Sequence, residues 1–134
     1  MMFDLAKKLF PICRSITGNG VRQTFDILKK YQPKLRTAEV STGTECFDWK
    51  IPREWNIEDA YLIDPDGKKF AKFKDNNLHI LNYSIPIDIE MDLENLKKYL
   101  HTLPEQPKAI PYLTSYYQER WGFCLTHEEY LKLK

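Results

Sequence analysis

Apolar positions recur with a helical period at the start of the chain: Phe3, Leu5 and Ala6, then Leu9 and Phe10. That spacing predicts a short helix, which Pro11 ends by removing a donor and crowding the preceding turn. Residues 14–20 are polar, small and Gly-punctuated, so they read as a loop. A second helix is expected after it, capped by Thr17 or Asn19, with Val21, Phe25 and Leu28 on one face at spacings of four and three. It should stop before Pro33, because the residue preceding a proline avoids the helical region.

The period then changes to two. Leu35, Thr37, Glu39 and Ser41 alternate with Arg36, Ala38 and Val40, and residues 46–51 read as a strand closed by Pro52. Residues 60–64 and 69–73 flank Pro65-Asp66-Gly67, and Asp-Gly between β-like runs is the strongest hairpin signal in the chain. Residues 78–83 form a further expected strand, and 85–89 an extended edge segment interrupted by Pro86. Asp92 should cap a helix that carries Leu93, Leu96, Tyr99 and Leu100. Residues 103–111 hold three prolines and cannot be regular. Ser115 with Gln118, and Thr126 with Glu129, have capping-box spacing, the second opening a terminal helix with Tyr130, Leu131 and Leu133. The pattern predicts an α+β fold: N-terminal helices, a small, mostly antiparallel β domain (sandwich or barrel), and C-terminal helices. The expected boundaries are 1–33, 34–111 and 112–134. No internal repeat is visible.

Composition narrows the partners. The chain has 134 residues, enough for one domain or one domain with helical extensions. Its 20 basic and 19 acidic residues are well mixed, which gives no support to nucleic-acid binding. No apolar run approaches the ~20 residues of a membrane span, and the charged N-terminal helix does not read as a signal peptide. Cys13, Cys46 and Cys124 show no Cys-x-x-Cys spacing and cannot all pair within one chain. Reduced thiols in a cytoplasmic protein are expected.

Few residues offer catalytic chemistry. A catalytic zinc needs three protein ligands, and the three histidines, His79, His101 and His127, are dispersed with no His-Glu-x-x-His. Cys13 lies beside Arg14, a cation that would lower its pKa, yet no histidine is near in sequence, so a structural thiol is expected. In the loop 14–20, glycines allow close backbone approach and a helix N-terminus attracts anions. Arg14, Ser15, Thr17 and Asn19 are therefore candidate substrate contacts. The other reading is a tight turn whose hydroxyls satisfy backbone groups, with Arg14 salt-bridged inside the fold. Tyr116 and Arg120, four apart, are surface-binding candidates, whereas Trp121 and Phe123 are expected in the core. Trp49 and Trp55 are read as anchors of a small β core rather than a sugar-stacking platform.

Three runs carry a resemblance: residues 10–22, with Pro11, Cys13, Arg14, Thr17 and Gly18; residues 47–57, with Trp49, Pro52 and Trp55; and residues 112–127, with Tyr116, Tyr117, Arg120, Trp121 and Gly122. Together they resemble a bacterial aminopeptidase-like family related to the zinc-dependent exopeptidases, in which a peptidase domain carries an inserted β-rich domain of unknown function. The resemblance covers nearly the whole chain and implies the N-terminal portion of such a protein. It implies two helices of the peptidase domain, the inserted domain, and a return into the peptidase domain, where the family's core is only beginning when the chain ends. The family's metal ligands and catalytic carboxylate lie beyond that point, so no catalytic residue and no metal ligand is assigned here, and the chain alone is expected to be catalytically silent. The resemblance implies zinc and a peptide, small amide or sugar-linked substrate for the full-length protein. A stand-alone peptide-, protein- or glycan-binding β module is the alternative. The exposed apolar helix faces also raise the expectation of a homo-oligomer.

Overall fold

A computed structural model describes residues 2–115 and 117–134. The chain divides into two compact units, Met1–Asn56 and Ile57–Lys134.

The first unit contains α1 (Met2–Leu9), α2 (Asn19–Tyr31) and a hairpin of β1 (Glu45–Cys46) and β2 (Trp49–Lys50). Both helices stop where their prolines require. Between them, Lys8 Nζ donates to the Tyr31 hydroxyl at 3.0 Å. Neither helix buries a residue. The period-two stretch 35–41 forms no strand. Neither of its alternating faces is consistently apolar, so pairing it would bury little surface. The expected strand over 46–51 is instead a tight hairpin. Cys46 pairs with Trp49 across a two-residue loop of Phe47 and Asp48.

In the second unit, β3 (Leu62–Ile63) pairs antiparallel with β4 (Lys69–Phe70) around the expected Asp-Gly turn. Asp64 Oδ1 accepts from the Asp66 and Lys68 amides, and Gly67 takes φ 81° at the turn. The expected strand over 78–83 is broken up. Asn76 caps a 3-10 turn over Asn77–His79, and only single bridges follow, Ile80 to Phe123 and Asn82 to Thr114. Tyr83 at φ 67° ends the extended run. Asp92 caps α3 (Leu93–Leu96) as expected, its side chain accepting from the Asn95 amide at 2.9 Å, but the helix does not run on to Leu100: Lys97–Tyr99 form a 3-10 turn and Leu100 enters a strand. β5 (Leu100–His101) runs parallel to β6 (Phe123–Cys124). The Thr126–Glu129 capping box is fully formed at the start of α4 (His127–Tyr130). No helix is described at the Ser115–Gln118 capping-box spacing.

The core lies in this second unit. Ala71, Ile80, Leu81, Leu100, Phe123, Cys124 and Leu125 are buried there, with Ile57, Leu62, Phe70, Trp121 and Tyr130 packed around the cluster. The fold is α+β, with two antiparallel ladders and one parallel one among the described residues. Among the described residues these short ladders do not close into a barrel.

Candidate functional site

The loop 14–20 is built by close contact with its own chain. Gly18 stands at the N-cap of α2 with φ 98°, and a Cβ there would collide with the Trp55 carbonyl and lie 2.9 Å from Asn56 Oδ1. A Cβ on Gly20 would run into the Cys13 carbonyl. The two glycines thus use their lack of a side chain to admit backbone and polar groups of the same unit. Thr17 Oγ1 accepts from the Trp55 amide at 3.3 Å. The cap of α2 is neither Thr17 nor Asn19, as the sequence suggested. Asn19 is the first helical residue, and its N–H donates to Asn56 Oδ1 at 2.7 Å. Its own Oδ1 accepts from Arg22, which also forms a bidentate pair with Glu54 at 2.6 Å for each contact. That pair, with a second donor on Asn56, holds the Glu54 carboxyl down at about 2.

Arg14 is exposed and makes no ion pair with a described residue, so the internal salt bridge weighed for it does not form among them. Ser15 is half-buried beside it. Burial pushes the Cys13 thiol up, opposite to the effect expected from its neighbour Arg14. A raised pKa leaves the thiol protonated and unreactive near neutral pH.

The second candidate region lies in the Ile57–Lys134 unit. Arg120 is exposed, and its Nη2 donates to the Thr114 carbonyl at 3.1 Å. Tyr116 lies outside the described residues. Trp121 stacks on Tyr99 with ring centroids 4.0 Å apart and meets Phe123 edge-on at 6.5 Å, so the core role expected for Trp121 and Phe123 is realised. Behind Arg120, Gly122 lets the His101 ring approach, since a Cβ would stand 3.0 Å from its Nε2. Burial, and secondarily the Arg120 charge, lower the His101 pKa.

The three histidines occupy different surroundings in the fold. His79 lies against the Cys124 carbonyl through Nδ1 at 2.9 Å, and His127 meets Thr102 Oγ1 at 3.0 Å while stacking on Tyr130. Among the described residues, no three His, Cys, Asp or Glu side chains gather to hold a metal ion. No described helix is long and apolar enough to cross a membrane.

Sequence reading missed Asn56, Glu54 and Arg22 as the groups that hold the loop. Their joining contacts carry no local signal, because Asn56 reaches Asn19 and Glu54 reaches Arg22 from more than thirty residues away; the Arg22–Asn19 and Asn56–Glu54 contacts are between near neighbours. It also missed Phe47, whose φ of 55° and 99% exposure follow from the hairpin that forms around it.

The geometry is that of a small α+β module, with glycine-dependent close packing in one unit and an aromatic core in the other. The chain belongs to the family described as "Domain of unknown function (DUF2172)", which matches residues 54–134. It is 54% identical over 132 residues to a Clostridium acetobutylicum protein named "Putative polysaccharide biosynthesis protein with aminopeptidase-like domain". That match covers 98% of this chain and 30% of the relative. A crystal structure of a "putative peptidase" from the same organism superposes with a TM-score of 0.95 at 53% identity, over 99% of this chain and 31% of that one. The chain therefore spans about 30% of the length of the proteins it matches, of which one is named for an aminopeptidase-like domain and the other as a "putative peptidase".

Proposed function

We propose that this chain is the N-terminal portion of an aminopeptidase-like protein. In that protein it contributes the inserted β-rich domain and part of the substrate pocket, and leaves the metal and the general base to the remainder. One observation carries the reading: the 54% identity runs through 98% of this chain but only 30% of the relative named for its aminopeptidase-like domain. The chemistry of the described side chains agrees with it. His79 and His127 are each engaged by a neighbour in the fold, and burial pushes the Cys13 thiol up. A zinc-activated water in the remainder would remove N-terminal residues from a peptide or small amide. Arg14, exposed at the mouth of the loop, is the residue offered for a substrate carboxylate. Ser15 stands as a further contact of the same loop, Arg120 as a separate candidate in the other unit, while Thr17 and Asn19 act by shaping the loop.

The test is zinc content and turnover of aminoacyl amides by the purified 134-residue chain, alone and carried within the longer Clostridium relative in place of the stretch it matches. The expected result is no stoichiometric zinc and no turnover alone, with chelator-sensitive turnover in the longer protein. Zinc-dependent turnover by the chain alone overturns the division of labour. Absence of turnover in both, with tight binding of a peptide or glycan, favours a binding module instead.

A further inference from the structure

The Met1–Asn56 unit presents several large apolar side chains to solvent and shows no buried hydrophobic residue among those described, in contrast to the packed Ile57–Lys134 unit. Phe3 is 70% exposed and Phe10 86%. Phe47 is 99% exposed, at the tip of the β1–β2 hairpin. Exposure of one aromatic is ordinary; this one is also strained. Phe47 takes φ 55° at the first position of a two-residue loop, and Asp48 is not among the positive-φ residues. A hairpin turn with positive φ at that position alone normally takes glycine there. A β-preferring aromatic is a poor choice for left-handed backbone and a poor choice for open water. Strain of this sort persists where something else requires the side chain.

We propose that Phe47 is an anchor that inserts into an apolar pocket on the part of the longer aminopeptidase-like polypeptide outside this chain; this rests on the reading given under Proposed function. The occupant follows from size. More than two thirds of the matched relative lies outside the matched stretch, on the same polypeptide. A tethered partner of that size meets the hairpin at high effective concentration, which favours it over a second copy of this chain. The hairpin suits the role because its cross-strand bonds hold the tip rigidly. Gly43 N–H donates to the Ile51 carbonyl, and Ile51 N–H to the Thr44 carbonyl, both at 2.9 Å. A single rigid aromatic on such a support has the character of an interface hot spot.

The experiment pairs Phe47→Gly with amide hydrogen exchange at residues 45–50, in this chain alone and in the Clostridium relative carrying this chain in place of its matched stretch. The expected result is hairpin exchange slower by at least about tenfold in the longer protein. Phe47→Gly should leave the melting temperature of the isolated chain unchanged or raised, because glycine relieves the backbone, and should lower that of the longer protein. Equal exchange in the two settings overturns the proposal, as does a fall in the isolated chain's melting temperature on Phe47→Gly. Sedimentation of the isolated chain gives a second reading that needs no fusion. A dimer abolished by Phe47→Gly would assign the pocket to a second copy and overturn the stated occupant; a monomer supports it. Unchanged exchange in a longer protein that still hydrolyses aminoacyl amides sinks the anchor while the aminopeptidase-like reading stands. A protected hairpin without turnover does the reverse.

Discussion

Asn56 does for α2 what neither Thr17 nor Asn19 does. Its side-chain oxygen takes the first helical N–H from 37 residues away. Glu54, two residues earlier, closes the same clasp on Arg22. Because the folded carboxyl is held down at about 2 against an ordinary 4.5, its contribution to stability is fully present above about pH 4.5 and lost as pH falls toward 2. The pair is solvent-accessible, so added salt should weaken it. Glu54→Gln is therefore expected to lower α2 helicity at neutral pH and to flatten its loss on acidification, followed by circular dichroism from pH 7 to pH 2. An identical acid profile in the variant would assign the transition to other carboxylates.

At the scale of elements, those whose signals are local formed where expected. Pro11 and Pro33 bound the first two helices, Asp66-Gly67 makes its hairpin, and Asp92 and Thr126 cap α3 and α4. The Thr126 hydroxyl accepts from the Glu129 amide at 3.1 Å, and the Glu129 carboxylate returns to the Thr126 amide at 3.0 Å. Thr126→Ala should cost about 1 kcal/mol, measured by urea denaturation, and Thr126→Ser should restore most of it. Strands were less legible. The stretch 78–83 is expected to form a strand, yet its first residues turn in a 3-10 helix because the Asn76 side chain takes the Leu78 amide at 3.0 Å. Beyond it, Ile80 and Asn82 find partners only singly, on β6 and at Thr114. Strand identity depends on what lies alongside, which alternation alone does not contain.

Across the whole molecule, burial is unequal between the two units. Leu81 and Leu125 are almost wholly enclosed in the Ile57–Lys134 unit, whereas Phe25 on α2 keeps more than a third of its surface in water. Leu125→Ala should cost roughly 2–5 kcal/mol in urea denaturation, because it opens a cavity in packed surroundings. Phe25→Ala in the isolated chain should stay within about 0.5 kcal/mol, the range of ordinary surface changes. Equal losses would mean that α2 is as well packed as the core. Carried in the longer aminopeptidase-like polypeptide proposed above, Phe25→Ala should cost more than in the isolated chain.

By itself the sequence determined the α+β class, both helix stops, the Asp-Gly turn, two caps, the core placement of Trp121 and Phe123, and the aminopeptidase-like kinship. Each of these rests on a local steric rule, on side-chain size, or on the resemblance carried by three short runs. Tertiary structure alone decided that Gly18 and Gly20 make room for Trp55 and Cys13, that Asn56 caps α2, that burial pushes the Cys13 thiol up, that β5 lies parallel to β6, and that Phe47 stands strained at a hairpin tip. Those outcomes depend on contacts between residues distant in the chain or on the hairpin geometry a turn adopts. Residue type and spacing carry information on local backbone preference, and none on which distant group will arrive.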